Sequence, residues 1–201
     1  MEWTHLVAFN LTLLAALVSP GPAMLVALRA TLTGGRGQGM LTGLGLAIMA
    51  SAWTGMALLG LDAIFALFPW GYVAAKTAGA IYLIWLAIKM WRSARLPLEA
   101  ATGATGRNAV MSGLAANLAN PKSMLFAASV LVVIFPPDLG LMQKTFIVAN
   151  QLVVELIAYG IFAVALSTPP ARSGYLKLKP VLDRIAALVL GALGLRLIFT
   201  K

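Results

Sequence analysis

Glu155 stands well inside the apolar run from Phe146 to Ala165, where a charge costs about 2.5–3.5 kcal/mol on insertion scales. Gln151, Glu155 and Tyr159 follow i, i+4, i+8 spacing and therefore share one helix face. A carboxyl group so placed could exchange a proton or receive an ammonium group. A second set of groups lies at two proline breaks, Ser19-Pro20-Gly21-Pro22 and Asn120-Pro121-Lys122, each within a long apolar stretch. Ser19 and Asn120 are favourable N-cap residues, and the proline after each falls at the first helical position, where its missing N–H costs nothing. A restarted helix carries unpaired N–H groups and a partial positive charge, which suit an anion such as a carboxylate.

Lys122 adds a full positive charge just inside the second break. The expected binding set is therefore Ser19, Pro20, Gly21, Pro22, Asn120, Pro121, Lys122, Gln151 and Tyr159. Glu155 is the expected proton-coupling group, with Asp62 as a second acid. Two blander readings stand beside these. The prolines could be packing kinks, and Glu155 could form a fixed ion pair with Lys122. Asp62 and Lys76 flank the turn near Pro69, at a spacing that lets them pair across a hairpin. Trp53 and Trp85 fall mid-span, where core packing is the simpler role.

These groups need a membrane to make sense. Of the 201 residues 61% are hydrophobic and only 10% charged, whereas a soluble domain carries roughly 25% charge. A spanning helix needs about 20 mostly apolar residues, and six such stretches are legible, at 5–28, 40–66, 71–91, 109–135, 143–166 and 181–199. Lipid offers no partner to an unpaired backbone group, and barrel strands would alternate in polarity, so the spans are helical. Gly34-Gly35-Arg36-Gly37, Pro69, Pro136-Pro137 and Pro169-Pro170 punctuate them. Met1-Glu2-Trp3 lacks the basic n-region of a cleavable signal, so the first span is expected to be retained.

The net charge of +9 is a matter of topology rather than of nucleic-acid binding. Arg29, Arg36, Lys89, Arg92, Arg95, Arg107, Arg172, Lys177, Lys179 and Arg184 fall in the first, third and fifth connections. Lys76, Lys144, Arg196 and Lys201 fall on the other side. The bias puts the basic connections in the cytoplasm and both termini outside, with Trp3, Trp70 and Tyr72 at the outer interface and Trp91 and Tyr175 at the inner one. No cysteine is present and His5 is the single histidine, so neither disulfides nor a zinc site is expected. Nor is any cofactor expected.

The stretch Ser93–Arg107 divides the chain into two three-helix halves, and a shift of 101 residues places Asn120-Pro121 on Ser19-Pro20. An odd number of spans per half gives the copies opposite orientations. The expected architecture is thus an all-α membrane protein. It has six transmembrane helices as two inverted three-helix repeats, with helices 1 and 4 interrupted at proline. It forms one domain over 1–201: repeat one 1–92, a cytoplasmic linker 93–107, and repeat two 108–201. Gly35-Arg36-Gly37-Gln38-Gly39 lacks the preceding strand and Gly-Lys-Ser/Thr of a phosphate loop. Gly39, Gly43 and Ala47 make a small-residue stripe that admits a neighbouring helix closely.

Several segments carry a family resemblance: Ser19-Pro20-Gly21-Pro22, Lys76-Thr77-Ala78-Gly79-Ala80-Ile81-Tyr82-Leu83, Lys89-Met90-Trp91-Arg92 and Asn120-Pro121-Lys122-Ser123-Met124-Leu125-Phe126. In order and spacing they resemble the lysine exporter family, which includes the homoserine/threonine (RhtB-type) exporters of bacteria. Ala87 follows Leu86 where that family often has glycine. The resemblance covers nearly the whole chain and implies a multi-pass protein of the bacterial inner membrane. It would export amino acids, with protons as the coupling partner, lipid as its surroundings and a homodimer as an admissible assembly. The alternatives are a divalent metal-ion exporter of a related six-helix family and an intramembrane enzyme. The first has only Glu155, Asp62 and methionines to draw on. The second would set Ser123 or Ser129 against Lys122, but adjacent Lys122 and Ser123 point in different directions on a helix.

Overall fold

The computed structural model describes residues 2–19, 21–67, 70–95 and 108–199. All regular structure among them is helical: α1 Trp3–Val18, α2 Pro22–Leu67, α3 Gly71–Ser93, α4 Ala109–Leu118, α5 Pro121–Ile134, α6 Leu141–Ala165 and α7 Pro169–Phe199. The side chains of 61–67 are outside the description, so the Asp62–Lys76 pairing and the role of Asp62 fall outside it. So do Pro20, most of the 93–107 linker, and the side chains of Pro22, Tyr72 and Pro121.

Two helices among the described residues are long and apolar enough to cross a membrane, Ala23–Gly60 and Leu141–Ala165, and α4 with α5 makes a third if the bent pair is one span. Six were expected. Among the described residues α1 has 16 residues, and parts of α3 and α7 fall outside the description, so the count of two to three covers only part of the six expected spans. Helix α2 is two rods joined at Gly35, whose φ of 78° and ψ of −178° only glycine adopts without strain. That kink falls where the glycine-rich punctuation was expected. Pro169-Pro170 opens α7 rather than merely closing α6.

Both proline breaks are present, with different chemistry. At the second, Asn120 is the N-cap and its side chain accepts from the Lys122 amide at 3.1 Å, with proline at the first turn of α5. At the first, α1 ends at Val18, Ser19 is its C-cap in an extended conformation, and α2 begins only at Pro22. The Gly21 carbonyl accepts the first bond, from Leu25 N–H, at 3.0 Å. Ser19 thus closes one helix and does not cap the next. A residue before proline is pushed out of the helical region, and Ser19 precedes Pro20 as Gly21 precedes Pro22.

The packing is inside-out relative to a soluble bundle. On α6 the polar Gln151, Glu155 and Tyr159 are buried, while Val153, Ile157 and Ile161 are more than half exposed. Large apolar side chains likewise face outward from α1, α3 and α7, as at Leu11, Ile81 and Leu188. Such a surface belongs in lipid, where apolar exposure costs nothing. Trp85, expected in the core, is half exposed, stacked near Tyr82 with the Lys89 ammonium 5.1 Å from its ring. Trp3 and Trp70 are exposed. One apolar cluster gathers Phe9, Leu13, Leu83, Val130, Ile147 and Leu190 from α1, α3, α5, α6 and α7. A second gathers Met24, Leu28, Leu46 and Tyr159 from α2 and α6.

Small residues set how closely α2 approaches its neighbours. A Cβ on Gly43 would meet Tyr159 and one on Gly39 would meet Ala163, both on α6, so the stripe read from the sequence does face another helix. A Cβ on Gly45 would strike the Val110 carbonyl, and one on Gly113 the Thr42 carbonyl. There the backbones of α2 and α4 touch. This close crossing carries the end of α4, and with it the second break, up against α2.

Candidate functional site

Between the two breaks and the polar face of α6 lies a cavity of about 80 Å³, several times the roughly 10–15 Å³ that one water needs. The structure brings most of the expected residues to its wall: Ser19, Gly21, Asn120, Lys122, Gln151, Glu155 and Tyr159. Phe9, Leu13, Met24 and Phe126 supply apolar walls, and Ala50 and Ala127 leave room.

Glu155 is 3% exposed, and its Oε1 accepts from Gln151 Nε2 at 2.8 Å. The Gln151 Oε1 in turn accepts from the Thr54 hydroxyl at 2.6 Å. This chain from α2 to α6 fixes the orientation of the Gln151 amide, because its oxygen is taken by a donor and its NH₂ must face the carboxyl group. Among the described residues no other side chain bonds to Glu155, so the carboxyl is held at one oxygen.

Lys122 lines the same cavity as this acid without pairing to it. Among the described residues its ammonium has neither a hydrogen bond nor an ion pair, so a fixed Lys122–Glu155 bridge is not formed. It lies against the first break instead: a methyl group on Gly21 would be 3.6 Å from Nζ. At the start of α5 the amides are already used, Lys122 N–H by the Asn120 side chain and Ser123 N–H by the Asn120 carbonyl at 3.1 Å. Asn120 Nδ2 also donates to the Ser123 hydroxyl at 3.1 Å.

Three participants were not foreseen. Thr54 anchors Gln151, as described. Asn117 lines the cavity three residues before Asn120 and donates through Nδ2 to the Leu46 carbonyl at 2.6 Å, while the Trp53 indole N–H reaches the Asn117 carbonyl at 3.4 Å. Asp183 is 3% exposed and accepts from the Ser19 hydroxyl at 2.6 Å and from Lys179 at 2.8 Å. The signal for Asp183 was available, since Lys179 and Asp183 have i, i+4 spacing at the edge of an apolar run. Reading Lys179 and Arg184 only as topological markers concealed it. Among the described residues no three His, Cys, Asp or Glu side chains converge, so a metal-exporter site would have no ligand cluster there.

A helical body with an apolar exterior and a cavity lined by a lysine and a glutamate that do not bridge each other defines a membrane protein that handles a small polar solute. Residues 14–201 match the family of LysE type translocators, and the chain belongs to that family; it is a translocator, not an enzyme. Over 195 residues it is 29% identical to the threonine efflux protein of Escherichia coli K12, covering 94% of each chain. It is 32% identical over 166 residues to the homoserine/homoserine lactone efflux protein of Salmonella typhi, covering 78% of this chain and 76% of that one. A similarity of 39% over 113 residues, 54% of each chain, links it to the chemotactic transduction protein ChpE of Pseudomonas aeruginosa. No solved structure matches this chain.

Proposed function

We propose that the protein exports a small neutral amino acid from the cytoplasm across the bacterial inner membrane, coupled to protons moving inward. The observation that carries this reading is the pairing of opposite charges on one cavity wall, Lys122 and Glu155 both present and not bridged to each other. A zwitterion satisfies both. Its carboxylate fits the start of α2 at Gly21 beside the Lys122 ammonium, and its ammonium group fits Glu155. Asn120, Gln151 and Tyr159 line the space between, and Pro20, Pro22 and Pro121 keep the helices interrupted there. The relatives named for threonine and homoserine efflux favour a hydroxyl-bearing amino acid as cargo.

Coupling follows from competition. A proton taken up by Glu155 from outside removes the charge that holds the ammonium group, and release is favoured; Asp62 is the second acid for this role. The element order supports a repeat, since α1, the break and α2 up to Gly35 recur about 100 residues later as α4, the break and α5. On this reading the protein is one domain of six spans, with both termini outside, and a homodimer is compatible with it. Counterflow in proteoliposomes tests the function. Labelled threonine and homoserine should accumulate against unlabelled internal pools. Accumulation of lysine alone would reassign the substrate, and no flux of any amino acid alongside flux of divalent metal ions would overturn the proposal.

A further inference from the structure

The end of α1 is held by one face of α7. Tyr175, Lys179 and Asp183 follow i, i+4, i+8 spacing. The Tyr175 hydroxyl donates to the Val18 carbonyl at 3.1 Å, capping the last turn of α1. Asp183 uses one oxygen to accept from the Ser19 hydroxyl at 2.6 Å and the other to accept from Lys179 at 2.8 Å. Lys179 also donates to the carbonyls of Ser93 and Ala94, each at 3.1 Å, where α3 ends. A cation at a helix C-terminus is favourable. Ser19, Lys179 and Asp183 are all more than nine-tenths buried, and apart from the Lys179–Asp183 pair within α7 these polar contacts join α7 to the ends of α1 and α3. Of these residues Ser19 alone reaches the cavity wall.

We propose that Asp183 is a positioning residue for transport: through the Ser19 hydroxyl it fixes the end of α1, and with it the entry into the break where the substrate carboxylate binds. The charge of Asp183 is supported by Lys179, which is itself held by the end of α3, so the ends of α1 and α3 are both set against α7 through one ion pair. The inference rests on the export reading above. It differs from a plain structural ion pair in one respect: the ion pair accounts for Lys179, whereas the Ser19 bond acts on the site.

The experiment uses the full chain in proteoliposomes, with threonine exchange as the probe, and detergent-solubilised protein for yield and melting. Ser19→Ala should keep yield and raise the apparent KM about tenfold, the equivalent of about 1.4 kcal/mol, close to the lower end for a hydrogen bond to a charged group. Lys179→Met should lower yield, because it leaves a buried charge unpaired. Lys179→Met/Asp183→Leu should recover yield, yet keep the raised KM. Adding Ser19→Ala to that pair should make KM no worse, since the bond is already gone. A KM restored to wild type in the pair, additive effects in the triple variant, or an unchanged KM in Ser19→Ala would each overturn the proposal.

Should the wild-type protein exchange no amino acid, the export reading fails, and positioning is read without substrate. Ala127→Cys, on the cavity wall of a chain with no cysteine of its own, should then be labelled several-fold faster by a thiol reagent when Ser19→Ala is present. Equal labelling rates would sink the positioning role independently of function.

Discussion

Replacing Glu155 by glutamine removes charge and titration while leaving shape and most hydrogen bonding in place. Among the described residues only Gln151 bonds to the Glu155 side chain, and a glutamine oxygen can accept that same bond. The fold should therefore lose no more than the difference between a charge-assisted and a neutral hydrogen bond, about 1 kcal/mol. The effect on a bound ammonium group is larger. A hydrogen bond to a charged partner is worth about 1.5–3 kcal/mol, so apparent affinity should fall about ten- to a hundredfold. Exchange and gradient-driven export, measured on the same proteoliposomes, separate the roles. A residue that only carries the proton should lose uphill export in the variant yet retain exchange. A residue that binds the ammonium group should weaken both. Wild-type exchange affinity together with wild-type uphill export in Glu155→Gln would refute both roles and leave the burial of this acid without a functional account.

Gly45→Ala and Gly113→Ala should each reduce yield and lower the melting temperature, at about 1–3 kcal/mol or more for overpacking, because the new methyl group would meet the Val110 or Thr42 carbonyl. Gly60→Ala and Gly160→Ala, with nothing among the described residues within 4 Å, should melt like wild type, and equal behaviour of the two pairs would refute the close α2–α4 crossing. Gly35→Ala should cost about 1–2 kcal/mol through its positive φ, read as a lower melting temperature with no steric clash to relieve. Asn120→Ala should cost about 0.5–2 kcal/mol as a lost N-cap and raise the apparent KM, because the start of α5 and Ser123 both depend on that side chain; an unchanged KM would remove Asn120 from the site. Single cysteines introduced between 96 and 107 should resist an impermeant thiol reagent in intact cells and react after lysis, whereas labelling in intact cells would invert the proposed topology.

Much of the site was legible in one dimension because lipid makes polarity rare and therefore informative. A glutamate and a glutamine four residues apart in an apolar run have few ways to be satisfied except by facing inward together, and Gln151, Glu155 and Tyr159 do so. The proline breaks were legible for a similar reason, since Pro121 after Asn120 specifies a capped helix start through local geometry alone. Ser19 shows the limit of that reasoning. Its local sequence fits an N-cap as well as that of Asn120 does, but a hydroxyl can serve any acceptor within reach, and Asp183, 164 residues away, reaches it first.

Composition, periodicity and punctuation thus determined the helical membrane character, the two interruptions and the polar face of α6, because each is a property of neighbours along the chain. Tertiary structure alone decided the pairings. It left Lys122 beside Gly21 rather than bridged to Glu155, made Asp183 the anchor of the first break, turned Trp85 outward and brought α2 against α4 at Gly45 and Gly113. Those outcomes depend on which helix faces come within a few ångströms of each other, and packing sets that distance between segments far apart in the sequence.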